Sequence, residues 1–206
     1  TVEYGRSKQD RPLQMTILRS QNAAMRGATA PALFISGCTH GNEYLGVEDK
    51  LPRAIFNKKQ KSKVLEQFFL SGGAFIFVPV LNPDGYENRV RENFSGIDLN
   101  RNFDLKHKQK INFTEPETRF LSTALEKFLS QEKLSLKMTL DYHCCAGGLL
   151  YPWSYPKAPS MATRWLKPHK DIGDILNQFI STRVGTSPQV LGYGSFGTSK
   201  DYYFEK

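Results

Sequence analysis

Cysteine is scarce. The three in this 206-residue chain, Cys38, Cys144 and Cys145, cannot build a disulfide framework. Adjacent Cys144 and Cys145 are poor partners for each other, because disulfide geometry constrains the two Cα positions. No apolar run reaches the length needed to cross a bilayer, so no membrane span is expected. The first residues carry no leader pattern, and with Thr1 at the start a processed or trimmed form is expected. The compartment stays open, with a lean towards a secreted or periplasmic one. Internal repeats and low-complexity linkers are missing too, which leaves one domain over 1–206, expected to be a monomer. Acidic residues are outnumbered, 20 Asp plus Glu against 28 Lys plus Arg, for a net charge of +8. The excess is scattered, and its densest run, Lys58-Lys59-Gln60-Lys61-Ser62-Lys63, reads as a solvated loop or helix end. No nucleic-acid-binding motif accompanies it, so no nucleic-acid partner is expected. The bulk charge suits acidic substrates or anionic envelopes, and equally serves simple solubility.

Hydrophobic residues make up 39% and aromatics 12% of the chain, enough for a core. Strand character runs over 13–18, 32–36, 74–80 and 136–140, the second ended by Gly37. Apolar spacing predicts a helix over 43–56, weakened by Pro52, and another over 171–180. Thr114-Glu115-Pro116-Glu117 opens a helix with Thr114 as its expected cap, and its apolar pattern continues to Phe128. Asn82-Pro83-Asp84-Gly85 reads as a turn. Strands alternating with helices predict an α/β fold, a mixed twisted sheet with helices on both faces. In such folds sites gather beyond the carboxyl ends of strands.

Histidine is nearly as scarce as cysteine, with four residues: His40, His107, His143 and His169. His107 lies between Lys106 and Lys108, and His169 beside Lys170. Both neighbourhoods repel a dication, so both read as surface residues. His40 and His143 each follow a strand. His40-Gly41-Asn42-Glu43 is an H-x-x-E, weak on its own. With His143 it supplies two imidazoles and a carboxylate, the set that holds a catalytic zinc and leaves one position open. The thiols of Cys38 and Cys144 neighbour these histidines, but the ligand set is complete without them. Asp98 is a candidate partner for the far nitrogen of a ligating histidine.

Several segments in order resemble the zinc carboxypeptidases of the carboxypeptidase A/B type. They are Gly37-Cys38-Thr39-His40-Gly41-Asn42-Glu43, Asn82-Pro83-Asp84-Gly85-Tyr86, and Arg91-Glu92-Asn93 leading into Gly96-Ile97-Asp98-Leu99-Asn100-Arg101-Asn102-Phe103. Thr114-Glu115-Pro116-Glu117-Thr118, His143 followed by Leu150-Tyr151-Pro152-Trp153, and Tyr193 followed by Gly197-Thr198-Ser199-Lys200-Asp201-Tyr202 complete the set. The resemblance implies one zinc ion held by His40, Glu43 and His143, and a peptide or protein C-terminus as substrate. It implies Arg91 at the oxyanion, Asn100 and Arg101 on the terminal carboxylate, and Tyr193 closing over the substrate. Lys200 occupies the position that selects the terminal side chain, and a lysine there implies a preference for Glu or Asp. A non-proline cis bond is implied at Cys144–Cys145.

The pattern breaks at one point. The resemblance implies a general-base glutamate on a strand a dozen or so residues after Asp201, whereas the sequence ends at Lys206 and Glu205 is too close to Asp201 to match. The expectation is a chain lacking its C-terminal strand and helix. Two alternatives remain. An aspartoacylase/succinylglutamate desuccinylase-type amidohydrolase shares the look of 37–43 and 98–101 but should lack the 82–86 and 193–202 segments. A catalytically dead zinc-binding peptide-recognition module is allowed by the missing base.

Overall fold

The computed structural model describes residues 1–20, 29–44, 54–55, 57–58, 62–105, 113–144 and 147–206. The chain divides into two compact units, Thr1–Leu99 with Phe113–His143, and Asn100–Asn112 with Cys144–Lys206.

The first unit is built on a five-stranded sheet in the order β1-β2-β4-β3-β5. Its strands are β1 Val2–Arg6, β2 Pro12–Arg19, β3 Ala30–Gly37, β4 Ala74–Val78 and β5 Leu134–Tyr142. The β1–β2 and β2–β4 pairs are antiparallel, and β3 runs parallel to both β4 and β5. Strand β4 is buried along its whole length, which is why it reads as a continuous apolar run rather than an alternating one. One sheet face gathers Phe75 and Phe77 with Leu18, Leu33 and Ile35 against Leu65, Phe68 and Phe69 of helix α1, Lys63–Leu70. On the other face the alternating residues Phe34 and Ile76 are fully buried. Helix α3, Pro116–Gln131, packs against β1 and β5.

Two local expectations are corrected. Asn82-Pro83-Asp84-Gly85 does not simply turn: it starts helix α2, Pro83–Asn88, where Asn82 Oδ1 accepts from Gly85 N–H at 2.9 Å and Pro83 occupies the first turn. Helix α3 is preceded by Glu115 rather than Thr114 in the cap position. Residues 45–53 and 56 of the helix expected over 43–56 lie outside the described residues; 54–55 and 57–58 are helical.

The second unit holds a two-stranded parallel pair, β6 Gly148–Leu150 and β7 Arg183–Gly185. With it come helices α4 Thr163–Ile180, α5 Ser187–Leu191 and α6 Ser199–Phe204. The helix expected over 171–180 is thus α4, which begins at Thr163 and runs through Pro168. Phe103 is fully buried, with ring centroids 5.7 Å from Tyr202 and 5.9 Å from Tyr203. Buried Asp201 ties α6 to the 152–155 segment. Its Oδ1 and Oδ2 accept from Ser154 N–H at 3.0 and 2.8 Å, and Oδ1 from Ser154 Oγ–H at 3.2 Å. A cis bond joins Pro152 and Trp153. The expected Cys144–Cys145 bond lies outside the described residues. Among the described residues, no helix is long and apolar enough to cross a membrane.

Candidate metal centre

Parallel pairing of β3 with β5 sets Ser36 opposite Asp141 and Gly37 opposite Tyr142. Both strands therefore end together. The turn after β3 delivers His40 and Glu43 to the place where β5 delivers His143. One ligand atom from each of the three lies within 4.8 Å of the others. His143 Nδ1 is 2.7 Å from Glu43 Oε2 and 3.1 Å from His40 Nδ1, and His40 Nδ1 is 2.9 Å from Glu43 Oε1. Tetrahedral coordination with Zn–N bonds of ~2.0–2.1 Å sets donors roughly 3.3 Å apart, so a few tenths of an ångström of spreading would seat the ion. Two nitrogens and a carboxylate, the former both Nδ1, form a donor set that fits zinc.

The far nitrogens are engaged as well. His40 Nε2 lies 3.0 Å from Asp98 Oδ1, and His143 Nε2 lies 3.0 Å from Asp141 Oδ2. Burial works to lower both imidazole pKa values, but Asp98 and Glu43 outweigh it at His40, and Asp141 and Glu43 carry His143 up to about 10. Burial likewise works to raise Glu43, and hydrogen bonds from His143 and His40 bring it down to about 2. Metal binding here must displace protons, so affinity depends on pH. The Cys38 thiol is engaged with the backbone of the turn. Its Sγ–H donates to His40 O at 3.5 Å, and burial with Glu43 nearby pushes it up to about 12.

Arg91 lines the same group. Its Nε and Nη2 donate to Asp98 Oδ2 at 3.2 and 2.8 Å, leaving Nη1 3.3 Å from His40 Nδ1 and 3.9 Å from Glu43 Oε1. Asp98 therefore holds an imidazole with one oxygen and a guanidinium with the other. The loop carrying His40 is held by backbone bonds. Gly41 N–H donates to Arg91 O at 3.2 Å, Leu81 N–H to Gly37 O at 3.1 Å and Asn82 N–H to Cys38 O at 3.0 Å.

The sequence therefore points to five residues that meet in the first unit: His40, Glu43, Arg91, Asp98 and His143. It does not single out Asp141. The available signal was its position two residues before His143 on a strand, which puts both side chains on one face. The remaining candidates belong to the second unit. Asn100 Oδ1 accepts from Ser199 N–H at 3.0 Å, and Arg101 Nη1 donates to Asn100 O at 2.8 Å. Tyr193 is exposed and follows Gly192, which ends α5 in the left-handed conformation. Lys200 Nζ donates to Ser187 Oγ at 3.0 Å. His107 lies outside the described residues, and His169 sits on α4 with Nδ1 2.7 Å from Trp165 O.

Comparison with known proteins identifies relatives in sequence and in fold. A carboxypeptidase B of Helicoverpa zea is 27% identical over 241 aligned residues, covering 98% of this chain and 53% of its own. An inactive metallocarboxypeptidase of Ajellomyces capsulatus is 26% identical over 157 residues, covering 60% of this chain and 25% of its own. The crystal structure of a carboxypeptidase A from Helicoverpa armigera superposes with a TM-score of 0.73 at 23% identity, covering 99% of this chain and 56% of that one. The chain thus spans about half the length of its Helicoverpa relatives, 53% and 56%. The family model described as zinc carboxypeptidase matches residues 1–205. The chain belongs to the zinc carboxypeptidase family.

Proposed function

We propose that this protein is a zinc-dependent metallocarboxypeptidase that removes the C-terminal residue of peptide substrates, with a preference for Glu or Asp. The observation that carries the reading is the convergence of His40, Glu43 and His143, whose ligand atoms lie within 4.8 Å of one another although a hundred residues separate His143 from the other two. Zinc held by these three would supply a Lewis acid for the scissile carbonyl and lower the pKa of a bound water. Asp98 orients His40 and, through its second oxygen, aims the Arg91 guanidinium at the same place. There Nη1 serves a developing oxyanion, a donor whose loss typically costs ~2.7–4 kcal/mol of barrier. Asn100 and Arg101 recognise the terminal carboxylate, a planar anion that a guanidinium fork matches in bidentate fashion. Tyr193 closes over the substrate. Lys200 sets the terminal side-chain preference through its ammonium. Family membership supports these roles, and each is assigned at the position that matches the family's motif.

The test is turnover of three peptides ending in Glu, Phe and Lys by the zinc-loaded full-length protein. Faster turnover of the Glu peptide is expected, and equal or faster turnover of the Phe or Lys peptide rejects the acidic preference. A second reading, a zinc-bearing module that binds peptide ends without cleaving them, is favoured by the inactive Ajellomyces relative. Zinc binding with no turnover of any of the three peptides would select it.

A further inference from the structure

We propose that Asp141 is a positioning residue for the third ligand, fixing the His143 imidazole in the tautomer whose Nδ1 binds zinc. The inference rests on the zinc reading above and assigns a role to a residue outside the matched motifs.

The argument starts from strand register. Ser36 and Asp141 are paired across the parallel β3–β5 ladder, so their side chains leave the sheet on the same face. His143 is two residues beyond Asp141 and follows it to that face. Thr39 comes back over it from the turn after β3. The result is a pinned carboxylate. Asp141 Oδ1 accepts from Ser36 Oγ–H at 2.9 Å and from Thr39 Oγ1–H at 3.0 Å, while Oδ2 faces His143 Nε2 at 3.0 Å. Ser36 and Thr39 are 3% and 0% exposed, so they hold fixed positions.

Two hydroxyl protons on one oxygen leave the other as an acceptor for an N–H. A neutral imidazole with its proton on Nε2 presents a lone pair at Nδ1. Nδ1 is the His143 atom that reaches Glu43 and His40. His40 follows the same logic through Asp98. Each imidazole thus has its own carboxylate, and neither depends on solvent to choose its tautomer. Asn at position 141 is a poor substitute. With its amide oxygen towards the two hydroxyls, its NH₂ would face Nε2 and force the proton onto Nδ1, where it blocks the metal. With the amide reversed, both hydroxyls must turn to accept from the NH₂, and a neutral oxygen replaces the carboxylate as the acceptor for Nε2–H.

The test is zinc affinity of the full chain, measured by competition with a chromophoric chelator, alongside thermal unfolding of the metal-free protein. Asp141→Asn is expected to weaken zinc binding ~10–100-fold at a temperature where the unfolding curve shows the metal-free variant still fully folded, a loss that a merely structural role would not produce. Thr39→Val keeps the carboxylate and removes one donor. It is expected to weaken zinc binding less, and it carries the test if Asp141→Asn does not fold. Parent and both variants binding zinc equally tightly overturns the role of Asp141 and leaves the zinc reading standing. A parent that binds no zinc overturns both.

Discussion

Gly41 is the point where the metal loop is locked to the rest of the first unit. A Cβ added at Gly41 would sit 2.0 Å from Gly85 C, 2.4 Å from Gly85 O and 2.4 Å from Tyr86 N. All three are backbone atoms of helix α2, so no side chain can swing aside. Carbon atoms rest ~3.5–4.0 Å apart, so alanine at 41 requires about 1.5 Å of separation between the loop and the helix. That movement stretches Gly41 N–H to Arg91 O and Asn82 N–H to Cys38 O, and it carries His40 with it. Overpacking a well-filled site costs ~1–3 kcal/mol, and backbone on both sides of this contact places Gly41→Ala at the upper end, about 3 kcal/mol. Zinc affinity should fall with it, because both His40 and Arg91 leave their places around Asp98. The assay is urea unfolding of the metal-free protein together with chelator competition for zinc. Gly96→Ala is the control. Gly96 has φ of +72°, but a Cβ added there would meet nothing within 4 Å, so only the left-handed backbone is penalised, ~1–2 kcal/mol. If Gly41→Ala unfolds at the parent's urea concentration and binds zinc as tightly, the close approach is not what locks the loop.

Arg11→Met should destabilise the protein by about 2 kcal/mol in urea unfolding, since a buried carboxylate loses its cation but keeps other donors. Arg11 Nη1 lies 2.7 Å from Asp84 Oδ1, Asp84 is fully buried, and Ser7 Oγ–H and Gln9 N–H still donate to it. An unchanged midpoint would mean that the pair contributes nothing. Glu115 and Glu117 should respond to pH with opposite signs. At Glu115 burial works to raise the pKa, but Asn93, Ser95 and Lys8 outweigh it, and the net value is lowered from 4.5. Its stabilisation is therefore present above about pH 4.5 and is lost as pH falls through the lower folded value. At Glu117 burial dominates and raises the pKa, so its contribution is present below about 4.5 and is lost as pH rises through the higher folded value. Glu115→Gln should destabilise at pH 7 and Glu117→Gln should stabilise, measured by thermal unfolding at pH 7 and 4; the same sign for both would refute the assignment. Lys200→Asp should reverse the preference between peptides ending in Glu and Lys, changing the ratio of kcat/KM by ~10–100-fold, the equivalent of one hydrogen bond to a charged group. An unaltered ratio removes Lys200 from specificity.

The central strands were legible because burial on both faces leaves only apolar residues, as in Ala74–Val78. The candidate ligand group His40, Glu43 and His143, which the fold brings together, stood out because histidine is rare here and two of the four sit in lysine-rich surroundings. Strand β1 was not legible. Val2–Arg6 carries Glu3, Gly5 and Arg6 and is largely exposed, so it lacks the alternating apolar signal. Asn82-Pro83-Asp84-Gly85 misled because the residues that favour turns also cap and open helices. The start of α4 was hidden by Pro168, which breaks the local pattern without ending the helix. Asp141 offered only its position two residues before His143. Its register with Ser36 joins residues 105 apart in the chain, and no local window contains both.

Metal content of the purified full chain, after dialysis against zinc and then against metal-free buffer, bears most directly on the shared centre of His40, Glu43 and His143. One zinc per chain, retained by the parent and lost in His143→Ala, is the expected result. A parent without zinc, or a His143→Ala protein that keeps it, would contradict the centre and every role assigned around it.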